Sequence, residues 1–207
     1  MRTFQEENWT SEHGDQYNTR NPKTIEETDQ LYLKNYDLKR SSLNEEFLGD
    51  LKRDIKILEV GCNMGAQLDG LKKMGFTNLF GIDVNRESLK VAKNNFDAMF
   101  GSALDLPFKD NYFDLVFTSG VLIHISPKDL KQVTEEIVRC SKKYIWGFEY
   151  FSDTAKEIPY RGKENLLWKN NFSKFYLNNH NLDLIKEKRI QYLNDKNEDV
   201  MFLLKKK

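Results

Sequence analysis

The apolar and polar positions of this chain form short, largely apolar runs that alternate with stretches of helical spacing. Residues 55–60 are such a run and end at Gly61, after which Met64, Leu68 and Leu71 recur at helical spacing. This pattern predicts a strand, a tight glycine loop and a helix. The alternation continues to residue 150, which predicts a mostly parallel sheet with right-handed crossovers and helices on both faces.

Seven strands are predicted in all, at residues 55–60, 78–82, 98–100, 113–118, 143–150, 184–192 and 200–204. Further helices are expected from Arg86, from an N-cap at Ser126 followed by Pro127, and near residues 167–177. No helix separates the last two strands, so they are expected to pair as an antiparallel hairpin. The predicted fold class is therefore α/β.

Residues 1–50 precede the first strand and are too polar to form a domain of their own. The Asn21-Pro22 link interrupts any helix there, because the residue before proline avoids the α region. One helix is predicted from Thr24 to about residue 47. We therefore predict a helical cap at residues 1–50, over the carboxyl edge of the sheet and contributing to the site, and a main domain at residues 51–207.

The bulk composition excludes several classes of partner. Lys plus Arg and Asp plus Glu both number 32, so the zero net charge weighs against a polyanion held by bulk charge, and no nucleic-acid partner is predicted. No apolar run approaches about 18 residues and no secretory signal is visible, so we predict no membrane partner and a cytoplasmic location. Cys62 and Cys140 are expected to be free thiols.

The glycine loop carries the first candidate chemistry. Gly61 and Gly65 allow backbone angles and a close ligand approach that a Cβ would block, and the loop ends at a helix N-terminus. A dinucleotide fingerprint would need glycine where Asn63 stands. The observed spacing, with Glu59 ahead of both glycines, resembles the S-adenosylmethionine loop of class I methyltransferases, which have a Rossmann-like fold.

Asp83 closes the second strand about 20 residues further on, where nucleoside-binding folds place an acid against the ribose hydroxyls. Alternatively, both glycines serve only a turn, and Asp83 caps the helix that follows it.

Three segments, residues 9–21, 120–127 and 149–162, together resemble the small methyltransferases named for association with pseudaminic acid biosynthesis. The discriminating parts are the head from Trp9 to Asn21 and the Pro-Tyr-Arg-Gly loop at residues 159–162. The resemblance covers nearly the whole chain and implies S-adenosylmethionine as the cofactor. It also implies a small acidic substrate of the nonulosonic sugar type, or a precursor of one.

The resemblance assigns cofactor-binding roles to residues at the ends of successive strands. The methionine half is assigned to Gly61, Cys62 and Gly65, with Glu59 orienting the loop or meeting the ammonium group through water, and Asn63 is also expected to bind the cofactor. Asp83 is expected to bind the ribose, and the adenine is assigned to Val84, Asn85, Ser102, Ala103 and Leu104. Ser119 is expected where the methionine end meets the substrate.

Two residues of the head are assigned to closing the site. Arg20 is predicted to pair with the carboxylate of the cofactor, with Tyr17 beside it. The alternative is that Arg20 is a surface arginine and Tyr17 a packing residue.

His124 is the candidate general base, because a hydroxyl acceptor must lose its proton and histidine titrates near neutral pH. It could equally serve only to brace the loop before Ser126.

Arg161, with Tyr160 and Tyr150, is predicted to hold an anionic substrate, since a guanidinium matches a carboxylate by its two-pronged geometry. Trp9 is predicted to line the substrate pocket. The alternatives are an arginine paired with a neighbouring glutamate and a tryptophan in the core. His13 and His180 share no metal-ligand spacing with other side chains, so no metal is predicted.

The leading functional hypothesis is methyl transfer to an oxygen or nitrogen of a small acidic sugar. A second keeps the enzyme class but takes another small metabolite or a protein side chain as acceptor. A third is an S-adenosylmethionine-binding scaffold with little turnover, and a nucleotide-dependent oxidoreductase is the most distant.

Overall fold

The computed structural model describes residues 2–207. The chain divides into two compact units, one ending at Ser102 and the other beginning at Ala103. The predicted boundary near residue 50 lies within the first unit, and the assignment of residues 1–50 as a cap stays a prediction.

The first unit contains six helices and three strands among its described residues. The helices are α1 Phe4–Trp9, α2 Glu12–Arg20, α3 Ile25–Tyr36, α4 Arg40–Leu48, α5 Ala66–Lys73 and α6 Arg86–Ala92, and the strands are β1 Lys56–Val60, β2 Asn78–Asp83 and β3 Asp97–Phe100. All three strands are parallel, with β2 between β1 and β3. Ile57 and Leu58 of β1 and Leu68 and Leu71 of α5 are fully buried, because the strand run and the helix stripe supply one apolar core.

The single helix predicted over residues 24–47 is wrong, because the chain breaks it into α3 and α4. Asp37 follows α3 in the left-handed conformation, with φ of 56°. Asp and Asn tolerate this conformation better than most residues, so the helix can end here without the glycine or proline that would signal the break in the sequence. Arg40, at the start of α4, is completely buried and donates hydrogen bonds to Asn44 and Tyr32.

The second unit contains the remaining elements. They are β4 Phe113–Ser119, a 3-10 turn Leu122–His124, α7 Leu130–Cys140, β5 Ser141–Tyr150, β6 Lys156–Glu157, β7 Trp168–Lys169, α8 Phe172–Asn179, β8 Leu182–Gln191 and β9 Glu198–Lys206. β4 and β5 are parallel, whereas β9 runs antiparallel to both β5 and β8. β6 and β7 form a separate two-stranded ribbon.

Two predicted helix boundaries in this unit are wrong. α7 begins at Leu130 with Asp129 as its N-cap, and Ser126 instead starts a turn in which its carbonyl accepts from the N–H groups of Asp129 and Leu130. The helix predicted near residues 167–177 begins later, at Phe172, because Asn171 caps it by accepting from the N–H of Lys174.

Gly147 in β5 has a packing explanation. It lies opposite Phe202 of β9, and a Cβ at this position would come within 2.2 Å of the Phe202 ring. The ring therefore occupies the space that any larger side chain would need.

The seven strands of the main sheet have the order β3-β2-β1-β4-β5-β9-β8. The predicted fold class, a mostly parallel seven-stranded sheet that ends in an antiparallel hairpin, is confirmed. Within residues 2–207, the helices are all too short or too polar to cross a membrane.

Candidate functional site

The loop after β1 has the backbone that its glycines predict. The N–H groups of Gly61 and Cys62 both donate to the carbonyl of Ile82, at 2.8 and 3.1 Å, which turns the chain sharply as it leaves the sheet. Gly65 has φ of 91°, and a Cβ there would lie 2.9 Å from the Phe96 ring. Both the conformation and the space at residue 65 therefore favour glycine.

Asp83, at the end of β2, links the glycine loop to the segment that follows β2. Its Oδ2 accepts from the Asn63 N–H at 2.8 Å, and its Oδ1 accepts from the Asn85 N–H at 2.7 Å. Burial raises the pKa of Asp83, while hydrogen bonds from the backbone N–H groups of Asn85, Asn63 and Val84 oppose the rise. An ionised carboxylate has about four acceptor sites, so beside these three backbone donors Asp83 retains capacity for about one further donor.

Glu59 and Gln67 place two more acceptors at the loop. Glu59 is 2% exposed, and burial raises its pKa well above the usual value, with the charge of Arg40 opposing the rise. Over residues 2–207, Glu59 Oε2 and Gln67 Oε1 are buried without a hydrogen-bond partner. Unpaired buried acceptors are costly, so these oxygens fit a ligand that brings an ammonium donor.

Cys62 contributes shape to the loop rather than charge. Burial raises the pKa of its thiol well above the usual value. Its Sγ packs on Gly81 of β2, where an added Cβ would come within 2.6 Å of the sulfur. Its role in lining the methionine half stays a prediction.

Of the head residues assigned to the site, Trp9 and Tyr17 are in contact, and Arg20 lies on the surface. The Trp9 ring packs edge-on against Tyr17, with ring centroids 5.2 Å apart, and Glu6 of α1 accepts from the Ser102 hydroxyl. Arg20 ends α2 as an exposed residue. Its predicted pairing with a carboxylate stays a prediction.

The remaining assigned residues after the strands are half-buried. Val84 follows Asp83, and Ser119 ends β4. Ala103 and Leu104 open the second unit, and the Leu104 carbonyl accepts from Gln132 at 2.8 Å.

His124 lies at the end of the 3-10 turn and is buried. Its Nδ1 is 2.6 Å from the carbonyl oxygen of Leu166, a contact that requires Nδ1 to carry the proton. Nε2 is therefore the nitrogen that can accept a proton. The Tyr160 ring packs edge-on against the imidazole at 5.2 Å, which brings together two of the predicted residues.

Glu149 is a functional candidate that the sequence reasoning missed. It is completely buried in β5, and its carboxylate accepts from the N–H groups of Val121 at 3.2 Å and Ile123 at 3.4 Å. Burial raises its pKa to about 7, although hydrogen bonds from the Thr118 side chain and the turn oppose the rise. A carboxyl group that titrates near neutral pH is suited to proton handling.

Tyr150 and Lys169 form a second polar cluster in this unit. Lys169 is 7% exposed, donates to Asn197, and lies 5.5 Å above the Tyr150 ring. Burial raises the pKa of Tyr150 to about 12, with Asp199 adding to the rise, and burial lowers the pKa of Lys169. Arg161 is exposed, with φ of 52° and its guanidinium 5.9 Å from the Tyr160 ring.

A cavity of about 290 Å³ also lies within the second unit. Its lining is mostly apolar: Ile125, Pro127, Leu130, Ala155, Trp168, Asn170, Phe172 and Phe175. The cavity is large enough for the ring of a small metabolite. Across residues 2–207, no group of three His, Cys, Asp or Glu side chains is placed to hold a metal ion.

Part of the chain is similar in sequence to known proteins. Residues 58–144 match the family described as a methyltransferase domain. Over 112 residues, the chain is 36% identical to 24-methylenesterol C-methyltransferase 2 of Arabidopsis thaliana, covering 48% of this chain and 30% of that protein. The chain spans 41% or less of the length of the first curated relatives that it matches.

Two solved structures share the fold at low sequence identity. The 1,6-didemethyltoxoflavin-N1-methyltransferase of Burkholderia thailandensis, with bound S-adenosylhomocysteine, has a TM-score of 0.65 at 15% identity and covers 80% of this chain and 76% of its own. The [4+2]-cyclase SpnF has a TM-score of 0.68 at 14% identity and covers 80% of this chain and 79% of its own. The shared fold alone therefore does not fix the reaction.

Residues 58–144 thus match a methyltransferase domain, and the chain has the fold of class I methyltransferases. The predicted enzyme class and the S-adenosylmethionine cofactor are confirmed for this domain. The association with pseudaminic acid, the cytoplasmic location and the role of each site residue stay predictions.

Proposed function

We propose that this protein transfers a methyl group from S-adenosylmethionine to an oxygen or nitrogen of a small acidic metabolite. The observation that carries the proposal is the half-buried Asp83 carboxylate, which accepts from the N–H groups of Asn63 in the glycine loop and of Asn85 after β2. That arrangement leaves acceptor capacity for a ribose hydroxyl.

S-adenosylmethionine supplies, when bound, an electrophilic methyl group on a sulfonium. Asp83 would accept from a ribose hydroxyl, and the Glu59 and Gln67 oxygens that lack a partner within residues 2–207 would accept from the ammonium group. Gly61 and Gly65 keep the loop free of Cβ atoms, so a ligand can approach the backbone closely.

Proton handling is assigned to His124 in the second unit. Its Nε2 would take the proton of an acceptor hydroxyl, because the Leu166 carbonyl fixes the proton of the neutral ring on Nδ1. Glu149 positions the turn that carries His124 by accepting from the N–H groups of Val121 and Ile123. Such general-base catalysis contributes about 100-fold to 10,000-fold to a rate.

The acidic character of the acceptor rests on the Pro-Tyr-Arg-Gly loop and on the resemblance of the head. Arg161 is exposed next to Tyr160, whose ring contacts His124. A carboxylate on the acceptor, as in a nonulosonic sugar of the pseudaminic type, would pair with this guanidinium.

The cavity lined by Trp168 and Phe172 favours a second candidate within the same enzyme class. Its lining is mostly apolar, so it would better accept the ring or alkyl part of a less polar metabolite. A less polar metabolite would depend on contact with this apolar lining more than an acidic sugar would. Trp168→Ala should impair turnover of the second acceptor class more than turnover of the first.

A screen of acceptors tests the proposal directly. Purified protein is incubated with methyl-labelled S-adenosylmethionine and two panels, of acidic sugars and of apolar ring compounds, and products are followed by mass spectrometry. A labelled acidic sugar with stoichiometric S-adenosylhomocysteine supports the proposal. Label on an apolar ring compound supports the second candidate, and tight cofactor binding without product from either panel supports a scaffold.

A further inference from the structure

The side chain of Asn18 joins the second helix of the head to the cofactor loop. It is 9% exposed, and its Oδ1 accepts from Asn63 Nδ2 at 2.7 Å and from the Ser88 hydroxyl at 2.9 Å. Its Nδ2 donates to Asn85 Oδ1 at 3.4 Å. One amide thus contacts the loop after β1 and the N-terminal turn of α6.

The two asparagines that Asn18 contacts are the same two that hold Asp83. Asn63 and Asn85 donate their backbone N–H groups to the Asp83 carboxylate, and their side chains turn away from it toward Asn18. The Asn63 side chain also accepts from the N–H of Met64 within the loop. Asn18 is therefore connected to Asp83 and to the loop through the same two residues, Asn63 and Asn85.

α2 is held close enough for this contact by two further features. Asn85 Nδ2 donates to the Trp9 carbonyl at 3.0 Å and to Asp15 at 3.1 Å. At Gly14, a Cβ would come within 2.0 Å of the Trp9 carbonyl oxygen and 2.8 Å of Asn85 Nδ2. Glycine at this position therefore allows the close approach of α2 to α6.

Asn63 also needs support for its backbone. Its φ is 47°, in the left-handed region, which costs most residues with a Cβ roughly 1 kcal/mol or more and costs asparagine less. Two hydrogen bonds of its side-chain amide offset that cost: Nδ2 donates to Asn18, and Oδ1 accepts from the N–H of Met64. Without them, the loop would have to be ordered when a ligand binds, at the expense of affinity.

We propose that Asn18 is a positioning residue for the cofactor: it latches α2 onto Asn63, Ser88 and Asn85 and so preorganises the loop and the Asp83 carboxylate. This inference rests on the proposed function, because it assumes that the loop binds S-adenosylmethionine. Asn18 itself need not touch the cofactor, so its effect passes through Asn63 and Asn85.

The test replaces Asn18 with leucine, which has similar size but no hydrogen-bonding atoms. S-adenosylhomocysteine affinity is measured by calorimetry well below the melting temperature, and Asn18→Leu is expected to weaken it about 10-fold. Amide exchange of residues 61–65 without ligand should also become faster, which a loss of global stability alone would not confine to the loop. Gln16→Ala, on the exposed side of the same helix, is the matched control and should leave both readouts unchanged.

Ser88→Ala serves as the milder variant should Asn18→Leu fail to fold. It removes one of the two hydrogen bonds to Asn18 Oδ1 and should weaken affinity about 3-fold. In a folded double variant, the two effects should not add, because both act on one network.

The outcomes separate the latch from the function on which it rests. A wild-type protein that does not bind S-adenosylhomocysteine removes the proposed function. If the wild-type protein binds S-adenosylhomocysteine but affinity and loop exchange are unchanged in Asn18→Leu, the positioning role of Asn18 is overturned and the proposed function stands. Where Asn18→Leu does not fold, the same result in Ser88→Ala overturns that role.

Discussion

Two carboxylates, the half-buried Asp83 in the first unit and the completely buried Glu149 in the second, are held by hydrogen bonds in different ways. Asp83 ends β2 and accepts from two N–H groups at 2.7 and 2.8 Å, one on each side of it along the chain. Glu149 lies near the end of β5 and accepts from two N–H groups of a single 3-10 turn, at 3.2 and 3.4 Å. Burial raises the pKa of both, and that of Glu149 reaches about 7.

The difference suggests different uses for the two groups. The short hydrogen bonds to Asp83 favour its charged form, which suits an acceptor for a ribose hydroxyl. The longer bonds to Glu149 compensate its burial less well, so the group changes protonation state near neutral pH. The proposed function therefore assigns cofactor binding to the first unit and proton handling to the second.

His124→Ala tests the division between binding and chemistry and should have the largest effect. With an acceptor in hand, kcat should fall about 100-fold to 10,000-fold, because the group at Nε2 that receives the proton is lost. S-adenosylhomocysteine affinity, measured by calorimetry, should stay within about twofold of wild type. His180→Ala is the matched control, and full turnover by His124→Ala across the pH range would remove the base role.

Glu149→Gln tests whether this carboxyl group titrates in the folded protein. Its folded pKa of about 7 lies above the usual value of 4.5, so the stability that this group contributes is fully present below pH 4.5 and is lost as pH rises through 7. Between pH 8 and pH 4.5, wild type should gain up to about 3 kcal/mol relative to the variant. Denaturant unfolding across this range measures the difference, and parallel curves for the two proteins would contradict it.

Asp83→Asn tests the binding half of the comparison. One acceptor oxygen becomes an NH2 group that faces a backbone N–H, and the charge that the ribose hydroxyl would meet is lost. S-adenosylhomocysteine affinity should fall about 100-fold, since hydrogen bonds to charged groups contribute roughly 1.5–3 kcal/mol. Glu149→Gln is the control and should bind like wild type in the same calorimetric titration; equal losses in both variants would erase the distinction.

Gly65→Ala should have the smallest effect, and Gly75→Ala is its matched control. The two glycines have φ of 91° and 93°, but a Cβ at Gly75 would meet only the Arg53 side chain, at 3.9 Å, whereas one at Gly65 meets the Phe96 ring at 2.9 Å. Gly75→Ala should cost about 1 kcal/mol of unfolding free energy, and Gly65→Ala about 1 kcal/mol more. Thermal unfolding measures both, and equal losses would show that the Phe96 contact carries no cost.

The features that could be predicted from the sequence are those determined by residues close together along the chain. The strand run, the two glycines and the acid that ends the next strand could all be predicted from spacing alone. The end of α3 escaped prediction because Asp37 adopts a left-handed conformation without the usual glycine.

The contacts that define the two candidate sites in detail are not local. The Val121 N–H and Glu149 are 28 residues apart, while Asn18 reaches Asn63 over 45 residues and Ser88 over 70. No periodicity encodes such pairs, because they arise only when the fold brings together elements that are distant in the sequence. Buried Asn and Glu also resemble ordinary polar residues in a sequence, and only their burial marks them as candidates.

Calorimetric titration of the wild-type protein with S-adenosylhomocysteine tests the central claim most directly. The account predicts one binding event per chain with micromolar affinity, and the affinity should fall sharply in Asp83→Asn. Absence of heat and of any thermal shift at millimolar ligand would contradict it.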